Sequence, residues 1–188
     1  KLEVIFIQFV SLLKGGKKLP MSTRQGQFTS LRELMTEVSP GAARFFFINR
    51  KAEQHLDFDL DLIKEQSKDN PLYYIQYAHA RTCSVFRKLK SKNIIYDENL
   101  AITNISNLSS SKEKEIQRLL SRYPEVILRA AKNYEPHLIC YYLKDLAANF
   151  HSYYNDEKIL VEEPSDLHPR LFLLSAVKQV LRNGLVLL

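Results

Sequence analysis

Apolar residues recur at three- and four-residue steps over most of the chain beyond Ser30, and the most informative run lies in residues 70–91. Leu72, Ile75, His79, Thr82, Phe86 and Leu89 make one mostly apolar stripe. With Pro71 in the first turn, where a missing N–H costs nothing, this predicts a helix that buries the stripe. Tyr74, Tyr77, Arg81 and Lys88 recur in the same way on nearly the opposite side. A second stripe of two tyrosines and two cations has two readings. It packs against a neighbouring helix with Arg81 solvated, or it offers stacking surfaces beside phosphate-binding charge, as a protein that holds splayed bases requires.

Around this helix the pattern predicts others. Residues 2–13 are rich in Val, Ile and Phe, and Gly15-Gly16 followed by Lys17-Lys18 reads as a hairpin turn into a second strand, with helical packing of the first run as the alternative. Ser30-Leu31-Arg32-Glu33 fits a capping box for a helix over 31–38, and Ser39-Pro40 opens another to about residue 50. His55 to Asp61 alternates apolar and acidic residues, an extended entry into a helix over about 60–67. Its three aspartates at two-residue spacing lack the Gly and distal Glu of a calcium hand, so helix capping is the first expectation.

Residues 91–109 show no clear period and read as a long loop. Ser110 to Glu113 caps a helix carrying Ile116, Leu119 and Leu120, broken at Pro124 and followed by one carrying Val126, Ile127 and Ala130. A strong amphipathic run then bears Ile139, Tyr142, Leu143, Leu146, Ala147, Phe150 and Tyr154. A last helix from near Pro169 points Phe172, Val177, Val180 and Leu181 inward, with Gly184 near its end. About seven or eight helices with short connections imply a mainly α fold, a helical bundle preceded by a short β-containing segment.

Composition adds little that the pattern does not. The 188 residues, 45% hydrophobic and 26% charged, suit one domain of ordinary size, or one domain plus a remnant of another. A net charge of +6 is compatible with a polyanionic partner, but 21 acidic residues are interspersed. Cys83 and Cys140 have no His or Cys at metal spacing beside them, so two reduced thiols are expected. No stretch has the length of a membrane span. A start at Lys1 within a strand-like run is what a fragment would show.

Local spacing offers no Ser-His-Asp or Cys-His arrangement. His79 lies on the apolar face of its helix and reads as a hydrogen-bonded core histidine, and His137 and His151 have no stronger case. Met21-Ser22-Thr23-Arg24, ahead of Gly26, is the loop whose hydroxyls and fork cation suit phosphate.

Four runs in register carry a resemblance: GGKKLPMSTRQGQFTSLRELMTEVSPGAARFFFINR, HLDFDLDL, DNPLYYIQYAHAR and YEPHLICYYLKDLAANFHSYYN. Together they resemble the C-terminal part of class I arginyl-tRNA synthetases. The resemblance implies that residues 1–38 end a catalytic domain and that 39–188 form a helical anticodon-binding domain of DALR type. Gly41-Ala42-Ala43-Arg44 stands for that motif with its Arg kept. Pro20 to Arg24 stands where the family carries the KMSKS loop, with Pro20 and Thr23 replacing its lysines. ATP-loop support is then expected from Met21, Ser22, Thr23 and Arg24, helped by Lys17 or Lys18.

The family's YxxYAHxR pattern lines the anticodon site and falls on Tyr74, Tyr77 and Arg81, with Tyr154 at a further anticodon-contacting aromatic. Lys88 is expected to meet phosphate or a base beside Arg81. With this resemblance, RNA contact becomes the first reading of the tyrosine stripe. For the intact enzyme it implies L-arginine, ATP and Mg2+ as substrates and cofactors, an arginyl-adenylate intermediate, tRNA(Arg) as partner and a cytoplasmic monomer. Nothing here resembles the HIGH signature or the arginine pocket, and family members continue a few residues past Leu188, so this piece alone should be inactive and without bound cofactor. The rival class is a non-catalytic helical module that binds RNA or a partner helix in the tyrosine groove.

Overall fold

A computed structural model describes residues 2–21 and 29–188. Strand β1 (Val10–Lys14) turns through Gly15 and Gly16, both at positive φ (59° and 69°), into β2 (Lys17–Lys18). A two-residue turn of this hand needs two left-handed residues, which glycine adopts without strain. Helices α1 (Leu31–Glu37) and α2 (Pro40–Ile48) start at Ser30 and Ser39, the first with the expected capping box. Strand β3 (Leu56–Asp59) lies parallel to β1 with Leu12 opposite Phe58, and sheet order is β2-β1-β3. The sheet therefore straddles residue 38.

Asp59 closes the strand and caps α3 (Leu60–Lys64), its Oδ1 accepting from the amides of Asp61 and Leu62. The bundle follows: α4 (Pro71–Ser91), α5 (Glu98–Thr103), α6 (Ser111–Ser121), α7 (Tyr123–Asn133), α8 (His137–Asp156) and α9 (Pro164–Leu187). Helix α9 packs on α4, α5, α6 and α8, and its Leu171, Leu174, Val177 and Leu181 are fully buried with Ile75, Leu143, Leu146 and Phe150 of α4 and α8.

Three expectations are corrected. The strand-like run is a strand only over Val10–Lys14; residues 2–9 form no ladder, and Leu2 and Phe6 are about nine-tenths exposed. Strand propensity becomes strand only where a neighbour supplies the hydrogen bonds, and β3 reaches no further than Val10. The loop over 91–109 contains α5, too short for its period to stand out. Asp97 caps it, His168 Nδ1 accepts from the Asp97 amide (3.0 Å), and Ala101 is buried against α9. Lastly, α9 begins at Pro164 and runs through Pro169. Proline inside a helix leaves the carbonyl four residues back without its donor. Here that carbonyl, Ser165 O, accepts from Asn107 Nδ2 at 3.2 Å.

Candidate nucleic-acid interface

The start of α4 is held by one side chain. Asn70, 4% exposed, accepts through Oδ1 from the amides of Leu72 and Tyr73 and donates through Nδ2 to the carbonyls of Ile63 and Glu65, the latter two at 2.9 Å. This cap fixes where α4 emerges from α3 and hence where its first tyrosines stand. Ile75, Ala78, Thr82, Val85 and Leu89 face the core, which turns Tyr73, Tyr74, Tyr77 and Arg81 toward α8 and the solvent beside it.

From α8, Phe150 and Tyr153 are buried in the core, leaving His151, Tyr154 and Asn155 to meet α4. His151 Nε2 lies 3.2 Å from the Tyr74 carbonyl, which can only accept, so Nε2 carries the proton and Nδ1 is the bare nitrogen. Arg81 Nη1 donates to that Nδ1 at 3.2 Å and to Asn155 Oδ1 at 3.0 Å. The guanidinium carbon lies 4.7 Å from the ring centroids of both Tyr77 and Tyr154, within cation–π range. Burial holds the His151 imidazole below the ordinary histidine range; the hydrogen bond to the Tyr74 carbonyl opposes this and the Arg81 charge adds to it. A neutral ring at pH 7 is what the bond from Arg81 requires.

The rings form a connected surface. Tyr73 and Tyr77 are parallel within 5°, centroids 6.1 Å apart; Tyr77 lies 5.4 Å and Tyr74 4.6 Å from the His151 ring. They line a cleft of about 360 Å³ with Lys68, Arg81 and Asn155. Tyr77 is 42% exposed, whereas Tyr74 and Tyr154 are half-buried against the core. The stripe is thus divided: Tyr74 packs against the core, and Tyr77 leaves its ring exposed at the cleft.

The structure thus brings Tyr74, Tyr77, Arg81 and Tyr154 together and leaves Lys88 out, two turns or roughly 10 Å farther along α4 and exposed. Tyr73, His151 and Asn155 also line the cleft, although the sequence gives none of them as a site residue. The four-residue steps from Tyr73 to Tyr77 and from His151 to Asn155 were available signals. Met21 is exposed, and Ser22, Thr23 and Arg24 lie outside the described residues. Lys18 of the same segment faces Asp57, Nζ to Oδ1 3.7 Å. A larger cleft of about 600 Å³, walled by Ile7, Val10, Phe47, Ile48 and Leu56, is lined by no predicted site residue among the described residues.

His79 meets its expectation in part: Nδ1 lies within hydrogen-bond range of Cys83 Sγ at 3.9 Å, whereas Nε2 is buried without a hydrogen-bond partner among the described residues. Cys83 and Cys140 are free thiols. Among the described residues no group of three or more His, Cys, Asp or Glu could hold a metal ion, and no helix is long and apolar enough to cross a membrane.

The helical part of the chain, residues 75–188, matches the DALR anticodon binding domain. The chain belongs to that family. It is 55% identical over all 188 residues to an arginine–tRNA ligase of Coxiella burnetii, 52% to that of Hydrogenovibrio crunogenus and 51% to that of Legionella pneumophila, covering 32% of each. The chain therefore spans about a third of the length of these curated relatives. Among solved structures, it superposes on a Campylobacter jejuni protein assigned as an arginyl-tRNA synthetase with TM-score 0.78 at 30% identity, over 96% of this chain and 38% of that one. For the Thermus thermophilus arginyl-tRNA synthetase the TM-score is 0.65 at 26% identity, over 88% and 28%.

Proposed function

We propose that this chain is the C-terminal part of an arginine–tRNA ligase and that its α4/α8 cleft grips the anticodon loop of tRNA(Arg). The observation that carries the reading is Arg81, tethered through Nη1 and resting on the rings of Tyr154 and the exposed Tyr77. Stacking of a splayed base on such a platform contributes about 1–3 kcal/mol. The intact enzyme joins L-arginine to tRNA through an arginyl-adenylate made from ATP with Mg2+. Residues 1–38 close its catalytic domain, with Met21, Ser22, Thr23 and Arg24 supporting the ATP phosphates, and 39–188 bind tRNA. Alone, this part forms no adenylate, which arginine-dependent ATP–pyrophosphate exchange measures directly; any exchange would contradict it.

The test of RNA binding is fluorescence anisotropy with an arginine tRNA anticodon stem-loop, beside the same hairpin with its middle anticodon base changed, at two salt concentrations. Tighter, salt-sensitive binding to the unchanged hairpin is expected. Absence of binding to either would favour a partner helix as the occupant of the groove.

A further inference from the structure

We infer that His151 and Asn155 are positioning residues that turn the Nε/Nη2 edge of Arg81 outward as a side-on fork for a group with two adjacent acceptors. The inference rests on the reading of the cleft as an RNA site and says how that site is built.

An arginine on an open helix face samples many rotamers, and ordering it on a ligand has an entropic cost. Here that ordering is done in advance. Nη1 has two protons, and the two acceptors that α8 supplies take both, His151 Nδ1 at 3.2 Å and Asn155 Oδ1 at 3.0 Å. The acceptor character of Nδ1 is itself imposed, because Nε2 of the same ring is committed to the Tyr74 carbonyl. Two rings at 4.7 Å limit tilting of the guanidinium. Among the described residues no acceptor meets Nε or Nη2, although the group is half-buried at the wall of the cleft.

In the planar guanidinium those two nitrogens carry parallel N–H bonds, so what they fit is a pair of acceptors side by side. An unpaired base offers such an edge, as guanine does with O6 and N7, and so does a phosphate with two oxygens. The two sources separate in experiment, since loss of a base contact removes discrimination at one loop position and loss of a phosphate contact weakens binding to all sequences alike.

The test uses this chain and the arginine tRNA anticodon hairpin, together with hairpins in which each loop base is replaced in turn. Arg81→Lys keeps the charge and removes the fork; Asn155→Ala and His151→Phe remove one acceptor each. Asn155 is exposed, so its variant should retain the fold even if His151→Phe, at a buried position, does not. Arg81→Lys is expected to weaken binding about ten- to a hundredfold, and Asn155→Ala several-fold. In the Arg81→Lys background, Asn155→Ala should have no further effect, a coupling that mere support of the fold would not produce. Coupled loss at one base identifies a base edge, and coupled loss of equal size on all hairpins identifies a phosphate; either upholds the positioning role. If Arg81→Lys binds poorly while Asn155→Ala and a folded His151→Phe bind as wild type does, the positioning role is wrong and the RNA reading stands. If Arg81→Lys itself binds normally, the reading of the cleft fails, and this inference with it.

Discussion

Arg170 Nε meets Glu113 Oε1 at 3.2 Å inside the bundle, where Glu113 is 1% exposed. The same oxygen accepts from the Tyr153 hydroxyl at 3.1 Å, and Oε2 accepts from the Ser110 amide at 3.0 Å, so one carboxylate ties α6 to both α8 and α9. Removing one partner of a buried pair leaves the other charged and uncompensated. Glu113→Ala should therefore lower unfolding free energy by about 3–5 kcal/mol, read from the urea midpoint. Arg118→Ala, which breaks an exposed pair with Glu115 on the same helix, should leave that midpoint unmoved.

Tyr77 and Phe150 separate binding from folding. Phe150 is fully buried, and Phe150→Ala should destabilise by about 3–5 kcal/mol through the cavity it leaves. Tyr77, 42% exposed, should cost less than about 1 kcal/mol on truncation to Ala. The same Tyr77→Ala variant should bind the anticodon hairpin more weakly by about 1–3 kcal/mol. A thermal melt and an anisotropy titration on each variant check both halves; a large melting shift for Tyr77→Ala would mean that its ring is packing, not presented.

Gly184 lies within α9, three residues before its end, and a Cβ there would stand 2.5 and 2.6 Å from the two Cδ atoms of Leu143. The sequence reads this glycine as a stop signal; in the structure it lets α9 approach α8. Gly184→Ala gains about 1 kcal/mol of helix propensity but should still destabilise, because overpacking a full core costs about 1–3 kcal/mol. Leu143→Ala combined with Gly184→Ala should be less destabilising than the two changes added, a coupling that denaturant titration of the double variant would detect.

Acid should loosen the fold before its carboxylates titrate. His79, His137 and His151 are all held below their ordinary value of 6.5, in each case chiefly by burial. The unfolded chain thus takes up protons near pH 6.5 that the folded chain still refuses. Their contribution is complete above pH 6.5 and is lost as pH falls below it. The urea midpoint should be lower at pH 5.5 than at 7.5, and His151→Phe should make that difference smaller.

Much of the bundle was legible because helix starts are local. Ser30 with Glu33, Ser39 with Pro40, Asn70 with Pro71 and Ser110 with Glu113 each satisfy the first amides of their helices within three or four residues. What escaped depends on partners distant in sequence. Helix α5 rests on His168, and the passage of α9 through Pro169 relies on Asn107, neither of which any periodicity can announce. At the cleft, Tyr74, Tyr77 and Arg81 follow from helical spacing on α4 alone, and Tyr154 came only with the family resemblance. His151 and Asn155 were hidden because their importance lies in facing Arg81 across a helix pair, seventy and seventy-four residues away.

Helix α9 follows α4, α5, α6 and α8 in the sequence and is the element against which all four rest. A ribosome delivers it after every surface it must cover. Until Leu171, Leu174, Val177 and Leu181 emerge, α4, α6, α7 and α8 can meet one another but the faces that α9 covers stay open, so the shared core is completed only after Pro164 has been made. A nascent chain stalled before Pro164 should therefore be the form that chaperones hold and proteases find.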